Sequence, residues 1–165
     1  MGSYKDSLNH AWSRHFPAVA KFPIARTSDK TGDYNCFAYV AGIDSINWCP
    51  HFIKCDDVYW PAPECVDENH IDSYLIGYER IGFEWCADGS LEAGWEKIAL
   101  YVDEKNIPQH AAVQREDGTW QSKLGSDIDV SHALESLESS EEFGKSPYGT
   151  AKFFMRRRRT QSPGV

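Results

Sequence analysis

The sequence predicts an α+β fold in a single domain, with a cysteine-bearing helix in the N-terminal half packed on an antiparallel β-sheet supplied by the C-terminal half. Three observations lead to it. A chain of 165 residues with 41% hydrophobic and 13% aromatic content can enclose one core but is short for two. The first half carries apolar residues at helical spacing. The second half carries β-rich runs joined by an Asp-Gly turn signal.

Residues 1–33 read as a leader segment, with a short helix over 8–14 and then Pro17, Pro23 and the polar run from Thr27 to Asp33. The globular domain is expected over 34–155, and a basic flexible tail over 156–165. Cys36-Phe37-Ala38-Tyr39-Val40-Ala41 is almost wholly apolar. Asp33 or Asn35 can cap its start and Gly42 suits the position after its end, so a short buried helix should open on a cysteine. Residues 43–67 mix Trp, Pro, Cys and Asp with neither period and predict an irregular, aromatic-rich stretch. Ile71, Tyr74, Leu75, Tyr78 and Ile81 recur at three and four residues, the stripe of an amphipathic helix that Gly82 ends.

Strands are predicted over 94–102 and 109–114, with a hairpin at Glu116-Asp117-Gly118 and a returning strand over 119–124 closed by Gly125. One more helix is expected over 131–137 with Ser131 as its cap, and a last strand over 148–155.

A formal net charge of -8 and a pI near 5.2 argue against general affinity for nucleic acid or an anionic membrane, because the mean field repels phosphate. The exception is local: Arg156-Arg157-Arg158-Arg159 could touch RNA or an acidic partner, or simply solvate a terminus. No run approaches the roughly 18 apolar residues of a membrane span, and the first residues lack the apolar core of a signal peptide, so the chain reads as cytoplasmic, with export by a specialised secretion system left open. Five cysteines are an odd number without the density of a disulfide scaffold, which predicts reduced thiols.

The start of a helix favours a thiolate, which makes Cys36 a candidate nucleophile. His110, on a strand and followed by the small Ala111 and Ala112, is the candidate base. A third polar group should orient its imidazole. Gln121 and Ser122 on the returning strand are the candidates, with Asp127 and Asp129 as carboxylate alternatives. Cys49, His51, Cys55 and Cys65 contain metal-ligating types, but their spacing lacks the close ligand pairs of a structural zinc site, so neither metal nor cofactor is expected. Tyr59, Trp60 and Trp120 are expected in the core or along the wall of a substrate cleft.

A cysteine at a helix start, a downstream strand histidine and a polar residue on the next strand resemble the papain-like cysteine hydrolase superfamily, closest to its NlpC/P60-type bacterial members. The pieces Asn35-Cys36-Phe37-Ala38-Tyr39, Tyr59-Trp60-Pro61, Gly94 to Tyr101, His110-Ala111-Ala112 and Trp120-Gln121-Ser122-Lys123-Leu124-Gly125 more specifically resemble a group of uncharacterised bacterial proteins, over roughly residues 35–156. The resemblance implies a papain-like fold and a peptidase, amidase or deamidase acting on a peptide or protein amide, with Cys36 as nucleophile and His110 as base. The papain-type glutamine before the cysteine is missing, so the oxyanion would fall to the Cys36 backbone N–H or to Asn35. The alternative is a non-catalytic module that binds a protein partner in a bacterial toxin, immunity or defence system.

Overall fold

A computed structural model describes residues 4–51 and 56–160. Its frame is a seven-stranded sheet with the order β1-β8-β7-β6-β5-β9-β4, in which every neighbouring pair runs antiparallel. The strands are β1 (Ala25–Arg26), β4 (Glu84–Cys86), β5 (Trp95–Val102), β6 (Pro108–Gln114), β7 (Trp120–Lys123), β8 (Asp129–His132) and β9 (Thr150–Arg158). A separate parallel pair, β2 (Asn47–Trp48) and β3 (Val58–Tyr59), lies within the stretch expected to be irregular. The helices are α1 (Tyr4–Trp12), α2 (Cys36–Tyr39) and α3 (Ile71–Arg80), with single 3-10 turns at Pro17–Ala20 and Leu134–Leu137.

The period of two along each strand divides the core between the two faces of the sheet. Ile98, Leu100, Ala111, Val113 and Met155 point to the first face, where α2, α3, Trp48 and Trp60 cover them. Ala99, Tyr101, Ala112, Trp120 and Val130 point to the second, under Phe16, Val19, Ile24 and Leu137. The segment expected as a leader therefore belongs to the domain: Phe16, Val19 and Ile24 are buried, and β1 pairs with β8.

Two further expectations change. Residues from Asp129 to His132 form a strand, because Val130 is buried against the second face, and only the single turn Leu134–Leu137 follows. Ser131 is thus a strand residue and not a helix cap. The basic run is not a tail either. Arg156 to Arg158 end β9, where Arg156 pairs with Glu84 at 3.0 Å and Glu92 at 2.6 Å, Arg157 pairs with Glu96 at 3.0 Å, and Arg156 and Arg158 flank the Trp95 ring. Carboxylates on β4, on β5 and in the segment between them supply the partners that turn the arginine run into strand. Residues 161–165 of the expected tail lie outside the described residues.

Among the described residues no helix is long and apolar enough to cross a membrane. The hairpin falls where Asp117-Gly118 predicts it, with Gly118 at φ 88° and Gln114 opposite Trp120.

Trp60 closes the first face by packing edge-on to Tyr74 and Tyr78 with its ring against Gly77 of α3. A Cβ at residue 77 would collide with that ring. Gly77→Ala should therefore destabilise the protein by about 1 to 2 kcal/mol despite the better helix propensity of alanine. A lowered urea midpoint with unchanged m would show it, and an unchanged midpoint would mean that Trp60 moves freely.

Candidate functional site

Cys36 owes its position to the residue before it. The Asn35 side chain accepts from the Ala38 N–H at 3.0 Å, capping α2, and also accepts from the Trp48 N–H at 3.1 Å while donating to the Trp48 carbonyl at 2.8 Å. Asn35 is thus the N-cap, and as an oxyanion donor it has at most one Nδ2–H left.

The helix so fixed packs against both β6 and β7 where these strands part. Their pairing stops after Val113 opposite Gln121, and the rest of β7 does not run beside His110. Into this opening the Cys36 thiol meets the Ala111 backbone N–H. The favourable effect of a helix start is present, since the Phe37 and Cys36 amides also stabilise the thiolate. Burial outweighs it and pushes the Cys36 thiol up to about 12.

His110 is fully buried one residue before Ala111. Its imidazole lies on the second face of the sheet, edge-on to Tyr101 at 5.4 Å and parallel to the Tyr148 ring at 3.9 Å and 3°. Among the described residues neither ring nitrogen has a hydrogen-bond partner, Cys36 included. Burial, reinforced by nearby His132, pushes its pKa well below the usual histidine range, so it is neutral.

The two candidate orienting residues are committed elsewhere. Gln121 faces the first side and accepts from the Tyr39 hydroxyl at 3.0 Å. Ser122 faces the second side but lies 2.7 Å from His132 Nε2, while His132 Nδ1 lies 2.7 Å from the Ala133 carbonyl. A carbonyl only accepts, so Nδ1 carries the proton and Nε2 accepts from Ser122. Asp129 accepts from the Tyr34 hydroxyl at 2.7 Å on the first side, and the Asp127 carboxylate receives the Ile128 N–H at 2.9 Å and lies 3.9 Å from Lys30. None of the four expected third members reaches His110.

Of the aromatic candidates, Trp60 and Trp120 are buried core residues, whereas Tyr59 is 49% exposed beside Trp48. Trp120 also borders a surface groove of about 670 Å³ that His132 and Gly89 share. Cys49 contacts Glu68 at 3.5 Å, and His51 lies 3.8 Å from the same carboxylate. Among the described residues no group of three or more His, Cys, Asp or Glu side chains could hold a metal ion, and Cys55 lies outside them.

Sequence reasoning missed His132 and Tyr148. The alternation Ile128, Val130, His132 is a legible strand signal that places His132 on a core face. Tyr148 carries no local signal, since it precedes β9 in an irregular segment and meets His110 only through the tertiary fold.

A family described as a domain of unknown function, DUF7689, matches residues 25–156, and the chain belongs to it. No curated protein and no solved structure matches the chain.

Both buried histidines are held neutral, and burial lowers His132 from 6.5 to about 4. The unfolded chain then binds protons that the folded chain refuses, so stability is full above pH 6.5 and is lost as pH falls towards 4. His132 alone should account for on the order of 3 kcal/mol across that window. Urea unfolding at pH 7, 6 and 5 should show the decline, with a shallower slope for His132→Gln; parallel slopes would refute the assignment.

Proposed function

We propose that this member of the DUF7689 family is a papain-like cysteine hydrolase of the peptidase, amidase or deamidase type, acting on a peptide or protein amide, with Cys36 as nucleophile and His110 as general base. The observation that carries the reading is His110 itself. A buried imidazole whose two nitrogens both lack partners forfeits about 1–3 kcal/mol, a cost that core packing would normally avoid by pairing or replacing it. It stands one residue before Ala111, whose amide the buried Cys36 thiol meets, with its ring on the face of the sheet opposite α2. A nitrogen left free of structural partners is available to take a proton.

With the Cys36 thiol raised to about 12, almost no thiolate exists at neutral pH in the closed resting site. The nucleophile forms when substrate entry brings a His110 nitrogen to the Cys36 thiol and that nitrogen takes the thiol proton. The thiolate attacks the amide carbonyl, the Cys36 N–H or the remaining Asn35 Nδ2–H donates to the oxyanion, and His110 returns the proton to the leaving amine. Water then cleaves the thioester with His110 again as base. Tyr59, exposed at the end of the aromatic cluster, is the substrate contact this arrangement favours. We take the cytoplasm as the compartment, which keeps free thiols such as Cys36, Cys49, Cys65 and Cys86 reduced.

The burial of both groups favours one other reading, a non-catalytic module whose surface binds a protein partner in a toxin, immunity or defence system. A panel of peptide electrophiles such as vinyl sulfones, followed by peptide mapping, separates the two. The hydrolase should carry an adduct on Cys36 that disappears in Cys36→Ala and forms roughly 100-fold more slowly in His110→Ala. Equal rates in wild type and His110→Ala would sink the pairing, and a Cys36 that resists every probe in the folded protein would leave the binding module.

A further inference from the structure

We infer that Tyr148 is the positioning residue of the Cys36–His110 pair, its ring face taking the place of the polar third member that usually orients a catalytic imidazole. This rests on the hydrolase reading above. Gln121 and Ser122 are bound to Tyr39 and His132, and among the described residues no side chain hydrogen-bonds either nitrogen of His110. Ring packing alone therefore sets the angle of the imidazole. The tightest contact is Tyr148, parallel within 3° at 3.9 Å between centroids, with the edge of Tyr101 as a second wall.

Tyr148 is held as a platform. Its far side meets Phe16 at 5.0 Å. Its N–H donates to Ser146 Oγ at 3.2 Å, and that hydroxyl donates to the Leu137 carbonyl at 2.6 Å. Gly149 follows at φ 71°, where a Cβ would run into the Val102 carbonyl, and its own carbonyl accepts from the Ser139 N–H at 2.7 Å. The backbone on both sides of the ring is thereby pinned to the 3-10 turn and to β5.

The stack also has an electrostatic consequence. When His110 takes the Cys36 proton it becomes an imidazolium, and a cation lying on a phenol face is attracted by the ring quadrupole, most strongly where water is excluded. Triads obtain that stabilisation from a carboxylate or amide; here the π face supplies it. The proton moves from Cys36 Sγ to a His110 nitrogen and then to the leaving amine. The Tyr148 hydroxyl, which burial keeps protonated, exchanges none.

Tyr148→Phe keeps the face and Tyr148→Leu keeps the apolar bulk without it, with Tyr148→Met as the substitute if the leucine variant does not fold. On the amide that wild type cleaves best, the phenylalanine variant should stay within about 2-fold, and the leucine variant should lose roughly 10-fold in kcat with KM unchanged. Ring-current shifts of the His110 protons, present in wild type and Tyr148→Phe and absent in Tyr148→Leu, report the stack independently of turnover. Wild-type kcat in Tyr148→Leu, a loss confined to KM, or equal damage in the phenylalanine and leucine variants would each overturn the role of Tyr148 while leaving the hydrolase intact. Absence of both turnover and Cys36 adduct in wild type would overturn the hydrolase reading and this role with it.

Discussion

The three hydrogen bonds of the Asn35 side chain hold the site together. A helix of four residues cannot stand alone in water, because nucleation fixes several dihedrals for one hydrogen bond. Asn35 satisfies the Ala38 N–H at the start of α2 and both backbone groups of Trp48. One amide therefore ties the helix to β2, and Ala38 and Val40 anchor it in the first core. Its rigid start puts the Cys36 thiol in the opening between β6 and β7, against the Ala111 amide. Without that joint the cysteine would have no defined relation to the sheet.

The sheet in turn decides how buried polar groups are treated. Lys97 is buried but reaches Glu92 at 2.8 Å and the Asp88 carbonyl at 2.9 Å. Lys123 is buried but donates to the Thr31 and Asp127 carbonyls and lies over the Tyr34 ring. Ser122 and His132 satisfy one another and the Ala133 carbonyl. His110, enclosed by aromatic rings, has neither nitrogen paired among the described residues, and the indole N–H groups of Trp48 and Trp60 are likewise unpaired there. The fold thus pairs both buried ammonium groups and His132 while leaving the His110 imidazole held by ring packing.

Cys36 illustrates how two expectations about one residue can compete. The helix-start amides do lower its pKa, as its position in the sequence implies. Exclusion from water raises it by more, because a thiolate deprived of hydration loses more than three amides return. The balance is tertiary: the burial that raises the thiol and the Ala111 amide of β6 that opposes it both come from how α2 is packed on the sheet.

Local chemistry made much of this protein legible in its sequence. The Asp117-Gly118 hairpin, the Tyr74/Tyr78 stripe of α3, the Asn35 cap and the strand status of His110 all follow from short-range periods and turn geometry, which act over a few residues and are written in them. What each polar group touches was decided only in the tertiary structure. Arg156 to Arg158 run as strand where Glu84, Glu92, Glu96 and the Trp95 ring partner them, and Gln121 and Ser122 meet Tyr39 and His132 where β7 no longer pairs with β6. Tyr148 likewise meets His110 across thirty-eight positions of chain. Period and propensity specify the face on which a side chain stands; its partner across that face is set by long-range pairing and close packing, which no local window contains.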